Sequence, residues 1–403
     1  MKTEDLELAG EPASVEAPSA TDLRRAFRYC LGVFLAIRVG LSLLALAGVA
    51  LLPNLEPVGV PGWPAPEAGP GLENVVTAWE RFDGLWFLRI ATDGYVNGDG
   101  SAAFFPLYPL LIRILSPILG GHPLAAALLI SNAAFFGSLV LLYLLTNHEY
   151  DDTMARRAVL YLAVFPTSFF FLAPYSESLF LLLVLGTILA ARLGRWELAG
   201  VAGALAAATR NIGVLLMAPL VVEGIQRLRE GRAAELRRAT LAAAFIALGL
   251  VAYLAFWKQL SGDWLAPLHQ QANWQREFSF PLLTLLSGTQ EAFRFIGTYP
   301  GGYHLVDWLI VAPAIAAAVW VALRTRPLYG IYTWFSLLAP LSFIFTPRPF
   351  MSLPRFLLPI FPIFWAAAIW AGRRRGVHEA LVAASAAGLG ILTILFVNWY
   401  YIF

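Results

Sequence analysis

The sequence predicts an all-α, polytopic membrane protein: a bundle of about eleven transmembrane helices, with amphipathic helices in its first extracytoplasmic loop. Three observations predict it. Of 403 residues, 59% are hydrophobic and only 13% are charged, about half the charged fraction of a water-soluble domain. Apolar runs of membrane-crossing length recur from about residue 29 onward. The connectors between them alternate, with arginine concentrated in every second one.

Residues 1–22 are acidic, rich in Pro, Ala and Ser, and lack an apolar centre; they are expected to be a disordered cytoplasmic tail rather than a signal peptide. Residues 23–403 then form a single transmembrane domain. Arg24, Arg25 and Arg28 precede the first span, 29–52, and set the N-terminus inside. Residues 53–121 form a long outer loop in which seven acids face two arginines between Pro53 and Ser101. Further spans are expected at 123–146, 156–173, 177–193, 197–209, 211–226, 239–259, 304–323, 328–346, 356–372 and 378–399. They place Arg156/Arg157, Arg192/Arg195, the run 227–238, Arg324/Arg326 and Arg373–Arg375 on the inner side. Between 197 and 226 a reentrant pair or broken helix is an alternative to two spans. A second large outer loop covers 260–303.

Several function classes drop out. The single cysteine, Cys30, excludes an intrachain disulfide and a multi-cysteine metal site, and reads as a packed or lipid-facing thiol. The five histidines have no ligand spacing, and no phosphate-binding glycine loop or HExxH is present. Basic patches are short inner connectors, so no nucleic acid is implied. No internal repeat is visible, which counts against an inverted-repeat transporter.

The unusual residues collect on the outer side. In WERFDGLWFLRIATDGY, residues 79–95, Glu80 and Arg81 read as solvated charges of an aromatic belt. Asp83 is flanked by Phe82, Gly84, Leu85 and Trp86, where a carboxylate is costly unless paired or used. Asp93-Gly94 reads as an ordinary turn, with Asp83/Asp93 only a loose carboxylate pair. AFFPLYPLLIRILSPILGG, 103–121, is expected to be a kinked helix lying in the outer interface. In FPTSFFFLAPYSESLF, 165–180, Ser176 could cap the next helix with Glu177 at its positive end, or Glu177 could wall an outward cavity beside Tyr175. Arg38, Arg210 and Arg355 lie where arginine suits either a phosphate or an internal ion pair. Trp86, Gln271 and Trp274 are further candidate substrate contacts.

Taken in order, WERFDGLWFLRIATDGY, AFFPLYPLLIR, FPTSFFFLAPYSESLF, AAATRNIGVLL, GDWLAPLHQQANW and SLPRFLLPIFPIF resemble the PIG-V-like mannosyltransferases. These are the GPI mannosyltransferase II family and its prokaryotic relatives, a branch of the GT-C glycosyltransferases. The resemblance spans about residues 28 to 370. Family members commonly carry Trp-Asp where this chain has Phe82-Asp83, and Arg-Tyr where it has Arg355-Phe356. The resemblance implies a GT-C-type bundle and inverting transfer of mannose from a polyprenyl-phosphate carrier to a lipid or glycolipid acceptor hydroxyl on the extracytoplasmic face. Asp83 would be the general base, and Arg355 and Arg210 would hold the donor's phosphate. No cofactor or divalent metal is expected, and no protein partner is indicated. The alternatives are another polyprenyl-phosphate sugar, arabinose or glucose, or a lipid-linked saccharide flippase.

Overall fold

A computed structural model of the protein describes residues 18–53, 55–66, 71, 73–298 and 302–402, with the side chains of Gln271 and Ala272 outside the description. Most of the expected 1–22 tail therefore lies outside the described residues. Its last residues, from Ala20, already belong to the first helix, Ala20–Leu51. A capping box starts that helix: the Ser19 hydroxyl accepts from the Asp22 amide, and the Asp22 carboxylate accepts from the Ser19 amide.

The protein is a multi-pass integral membrane protein, and each of the eleven expected spans falls on a helix. Among the described residues, six helices are long and apolar enough to cross a bilayer unaided: Ala20–Leu51, Pro123–Glu149, Asn211–Arg229, Ala233–Ser261, Gly302–Arg324 and Arg375–Val397. The other five are shorter, and prolines explain three of them. The helix Asp152–Ala163 stops ahead of Pro166, Pro327–Leu341 ends just past Pro340, and Pro362–Gly372 begins only after Pro359. Proline cannot donate its backbone hydrogen bond, and it pushes the preceding residue out of the helical region.

The segment 197–226 reverses direction at Arg210. Helix Trp196–Thr209 ends there with Arg210 extended (φ −152°, ψ 146°), and a 3-10 turn, Asn211–Leu216, leads into Met217–Arg229. The Glu177 end of helix Glu177–Arg192 meets Arg210, whereas its Arg192 end meets Glu223 and Arg227. The two short helices thus form a hairpin with Arg210 at its tip. A Cβ on Gly213 would come within 2.5 Å of the Ala206 backbone, so the turn closes only with glycine there.

At the opposite end of the bundle the basic connectors gather. Arg192 bonds Glu149 (2.6 Å) and Glu223 (2.7 Å), Arg227 bonds Glu223 (3.0 Å), and Tyr29 donates to the Arg156 carbonyl (3.0 Å). Cys30 is fully buried in the core.

Small residues let helices Trp196–Thr209 and Ala233–Ser261 approach closely, as lipid-embedded helices do in the absence of a hydrophobic driving force. A Cβ on Gly249 would fall 2.1 Å from the Ala204 carbonyl oxygen, whereas one on Gly40 meets nothing within 4 Å. Gly249→Val is therefore expected to destabilise the bundle by about 1–3 kcal/mol, read as a lowered unfolding midpoint in detergent. Gly40→Val should leave that midpoint unchanged.

Candidate active site

Four separated segments bring charge to one place. Asp83 opens the helix Asp83–Asp93, its carboxylate in the first turn where the helix dipole favours it. The chain reaches this position through Phe82, at φ 50°. Gly84 lets the helix start press on the Pro174-Tyr175 turn, since a Cβ there would lie 2.9 Å from Pro174 Cγ. Across that contact the Tyr175 hydroxyl donates to the Arg81 carbonyl (3.1 Å).

Arg355 stands on the single turn Leu353–Phe356, entered through Ser352 at φ 65°. Its Nη1 lies 2.6 Å from Asp83 Oδ2 and its Nε 3.1 Å from Glu177 Oε1. Arg210 Nη1 reaches the same Glu177 oxygen at 2.6 Å. Aromatic faces hold both guanidinium groups: Phe170, Tyr175 and Phe356 around Arg355, and Phe356 and Phe180 around Arg210. Burial alone would pull the Arg355 guanidinium down, but Asp83 and Glu177 outweigh it and raise it. Exposure separates the two acids: the Asp83 side chain is 25% accessible and that of Glu177 only 2%. Asp83 reaches the open space, whereas Glu177 lies beneath and ties the two arginines together.

That open space is a cavity of about 450 Å³, with Asp83, Glu177, Arg210, Arg276, Arg355 and Tyr401 among its polar lining. Its remaining wall is largely apolar, including Leu250, Leu254, Leu265 and Leu268. Tyr401 arrives from beyond the helix Arg375–Val397. Phe82 packs against the rings of Phe396, Trp399 and Tyr401, and Arg81 donates to the Val397 carbonyl (2.9 Å) with Trp399 over its guanidinium. Arg348, paired with buried Asp307, donates to the Ile402 carbonyl and fixes the same segment.

Four non-glycine residues have positive φ among the described residues: Phe82, Gln275, Ser352 and Trp399. Ser352 lines the cavity itself, and the others precede Asp83, Arg276 and Tyr401 by one or two positions. The left-handed region costs bulky side chains about 1–3 kcal/mol, and such positions persist where surrounding structure enforces them, commonly at functional sites.

The structure thus brings together Asp83, Arg355, Arg210, Glu177, Tyr175 and Trp274. It corrects other expectations. Trp86 stands behind the wall, stacked on Phe104 (5.4 Å) and edge-on to Trp274, which takes the lining position. Arg38 does not line the cavity; its guanidinium lies over Trp79. Gln271 sits on the 3-10 turn Gln270–Trp274, its side chain outside the description. Ser176 makes no capping bond and instead accepts from Arg210 (3.4 Å), because Arg210 competes for its hydroxyl. Glu80 and Arg81 are buried rather than solvated: Trp63 donates to Glu80 (3.2 Å), and Arg81 is held by backbone carbonyls. Asp83 and Asp93 stand at opposite ends of one helix, about 15 Å apart by helical rise, and form no carboxylate pair. Arg355 stands on its own turn ahead of the tenth span, whose helix starts at Pro362 rather than at 356.

Arg276 and Tyr401 went unrecognised from sequence. For Arg276 the available signal was a lone arginine in the aromatic-rich outer segment around Trp274; Tyr401 carried none.

Residues 63–261 match the family model described as Mannosyltransferase (PIG-V). Over 110 residues the chain is 34% identical to GPI mannosyltransferase 2 of Drosophila pseudoobscura pseudoobscura, a match covering 25% of this chain and 24% of that relative. The chain thus spans about a quarter of the length of the curated relative it matches. In fold it is similar to ArnT from Cupriavidus metallidurans, solved bound to undecaprenyl phosphate. The TM-score is 0.50 at 12% identity, covering 92% of this chain and 76% of that one.

Proposed function

From the premise that the chain is a relative of the PIG-V mannosyltransferases with a GT-C-type membrane bundle, we propose that it is a membrane glycosyltransferase. It transfers mannose from a polyprenyl-phosphate donor to a hydroxyl of a lipid or glycolipid acceptor, with inversion. The observation that carries this reading is the partly open Asp83 carboxylate, held by Arg355 against Glu177, in a cavity that also carries Arg210 and Arg276 and whose remaining lining is largely apolar. Asp83 is the general base that takes the acceptor's proton. The donor's phosphate comes to the arginine side, where the positive charge of Arg355 and Arg210 offsets charge developing on the leaving group. This chemistry asks for no metal ion. The apolar wall suits a substrate whose isoprenoid stays in lipid while its headgroup enters.

The cavity is extracytoplasmic and the N-terminus cytoplasmic. Support comes from the arginine-rich connectors, which meet at the end of the bundle opposite Asp83.

Purified protein in lipid nanodiscs, supplied with a membrane-lipid extract as acceptor, should release polyprenyl phosphate from polyprenyl-phosphate mannose. It should not do so from the glucose or arabinose donors. Turnover with one of those sugars alone would overturn the choice of mannose. Movement of the lipid-linked sugar between leaflets without turnover would replace the transferase with a flippase.

A further inference from the structure

Five charged side chains line the cavity among the described residues: Asp83, Glu177, Arg210, Arg276 and Arg355. Four of them are matched, since Arg355 bridges both acids and Arg210 joins Glu177. Arg276 is not. Its guanidinium lies 5.6 Å from the Phe356 ring and donates to the Met351 carbonyl at 3.4 Å, with no ion-pair partner among the described residues. Yet its position is well fixed. Gln275, at φ 52°, turns the chain immediately before it, and Glu277 and Phe278 immediately after pair antiparallel with Ile344 and Phe343. Burial, with the like charge of Arg355 beside it, pulls its guanidinium below the usual arginine range, so a bound anion would relieve the site.

We propose that Arg276 makes the direct contact to the phosphate of the lipid-linked donor and retains the lipid phosphate left after transfer, while Arg355 and Arg210 stay on their carboxylates. The inference rests on the transferase reading above. The charges agree with it on both sides of the reaction. A polyprenyl-phosphate sugar is a phosphodiester carrying one negative charge, and the cavity with both acids ionised carries one net positive charge. During transfer the acceptor O–H proton passes to Asp83, and the acceptor oxygen bonds the anomeric carbon. The bond from that carbon to the phosphate oxygen breaks, and its electron pair stays on the phosphate. The lipid phosphate then carries about two negative charges, and the cavity, with Asp83 neutral, carries two net positive ones. Without Arg276 the cavity would be neutral when the donor binds and singly charged when the doubly charged product forms.

The test compares wild type, Arg276→Ala and Arg276→Gln in detergent, each first checked for an unchanged unfolding midpoint, for binding of undecaprenyl phosphate, inorganic phosphate and phosphatidylglycerol. Wild type should bind undecaprenyl phosphate, and both variants should bind it about ten- to a hundredfold more weakly, the range of one charge-assisted contact. Arg276→Lys should recover part of the loss. Inorganic phosphate and phosphatidylglycerol should compete poorly with the wild type. Undecaprenyl phosphate binding unaltered in a folded Arg276 variant overturns this inference and leaves the transferase reading standing. Equal affinity for phosphatidylglycerol overturns it as well, because Arg276 would then serve any anionic lipid. If folded wild type binds no undecaprenyl phosphate, the transferase reading fails and this inference with it.

Discussion

Asp83→Asn is expected to lower the turnover number for sugar transfer by roughly 10²–10⁴-fold, the usual contribution of a positioned general base, while undecaprenyl phosphate still binds. The substitution keeps the shape of the side chain and leaves an oxygen to accept from Arg355 Nη1, now 2.6 Å from Asp83 Oδ2. It removes the carboxylate's negative charge and with it the ability to take up the acceptor's proton. Glu177 still lies 3.1 Å from Arg355 Nε on the other side, so the guanidinium keeps a carboxylate partner. The unfolding midpoint should therefore fall little, which separates a chemical defect from a folding one. Asp83→Glu keeps the carboxylate but pushes it one methylene further into the cavity, and should retain more turnover than Asn. A folded Asp83→Asn protein working within tenfold of wild type would mean that the base is elsewhere.

The second large effect is on stability. Arg355→Met removes the bridge between two carboxylates, one of them almost wholly buried. Removing one partner of a buried pair costs about 3–5 kcal/mol. The lower part of that range is expected here, because Arg210 still serves Glu177 and the Asp83 side chain is a quarter exposed. Lysine should be a poor replacement: the guanidinium uses Nη1 for one acid and Nε for the other, and a single ammonium has no such fork. Adding Asp83→Asn to Arg355→Met should recover part of the lost stability in a double-mutant comparison of unfolding midpoints, since Asp83 is the acid left without its ion-pair partner and that charge is then gone. No recovery would show that Arg355 is held mainly by its aromatic neighbours.

The order of helices was legible because the bilayer forces long apolar segments and segregated arginines, and both survive in one dimension. Pro166, Pro340 and Pro359 are legible as helix breaks, but apolar residues continue past each of them, so the expected spans 156–173, 328–346 and 356–372 run through. Asp83, Glu177, Arg210 and Arg355 stood out because charge amid apolar residues is rarely accidental. Glu80 and Arg81 have the same kind of neighbours, yet were read as solvated. What buries Arg81 is the Val397 carbonyl and the Trp399 ring, more than three hundred residues further along. Arg276 was missed for a related reason. Its significance lies in how the other four charges pair, which only the folded arrangement reveals.

The segment carrying Val397, Trp399 and Tyr401 also bears on how the protein matures in the cell. Arg81 and its Val397 partner are 316 residues apart in the chain, and Asp83 and Arg355 are 272 apart. At a synthesis rate of about 5–20 residues per second, Asp83 waits roughly a quarter of a minute to a minute for its counter-ion. During that time helix after helix is inserted around it, and Phe82 has none of the rings that later hold its left-handed backbone. The nascent chain thus lacks a complete site until its distal segment docks, so under the proposed transferase reading activity itself would report completed assembly in the membrane.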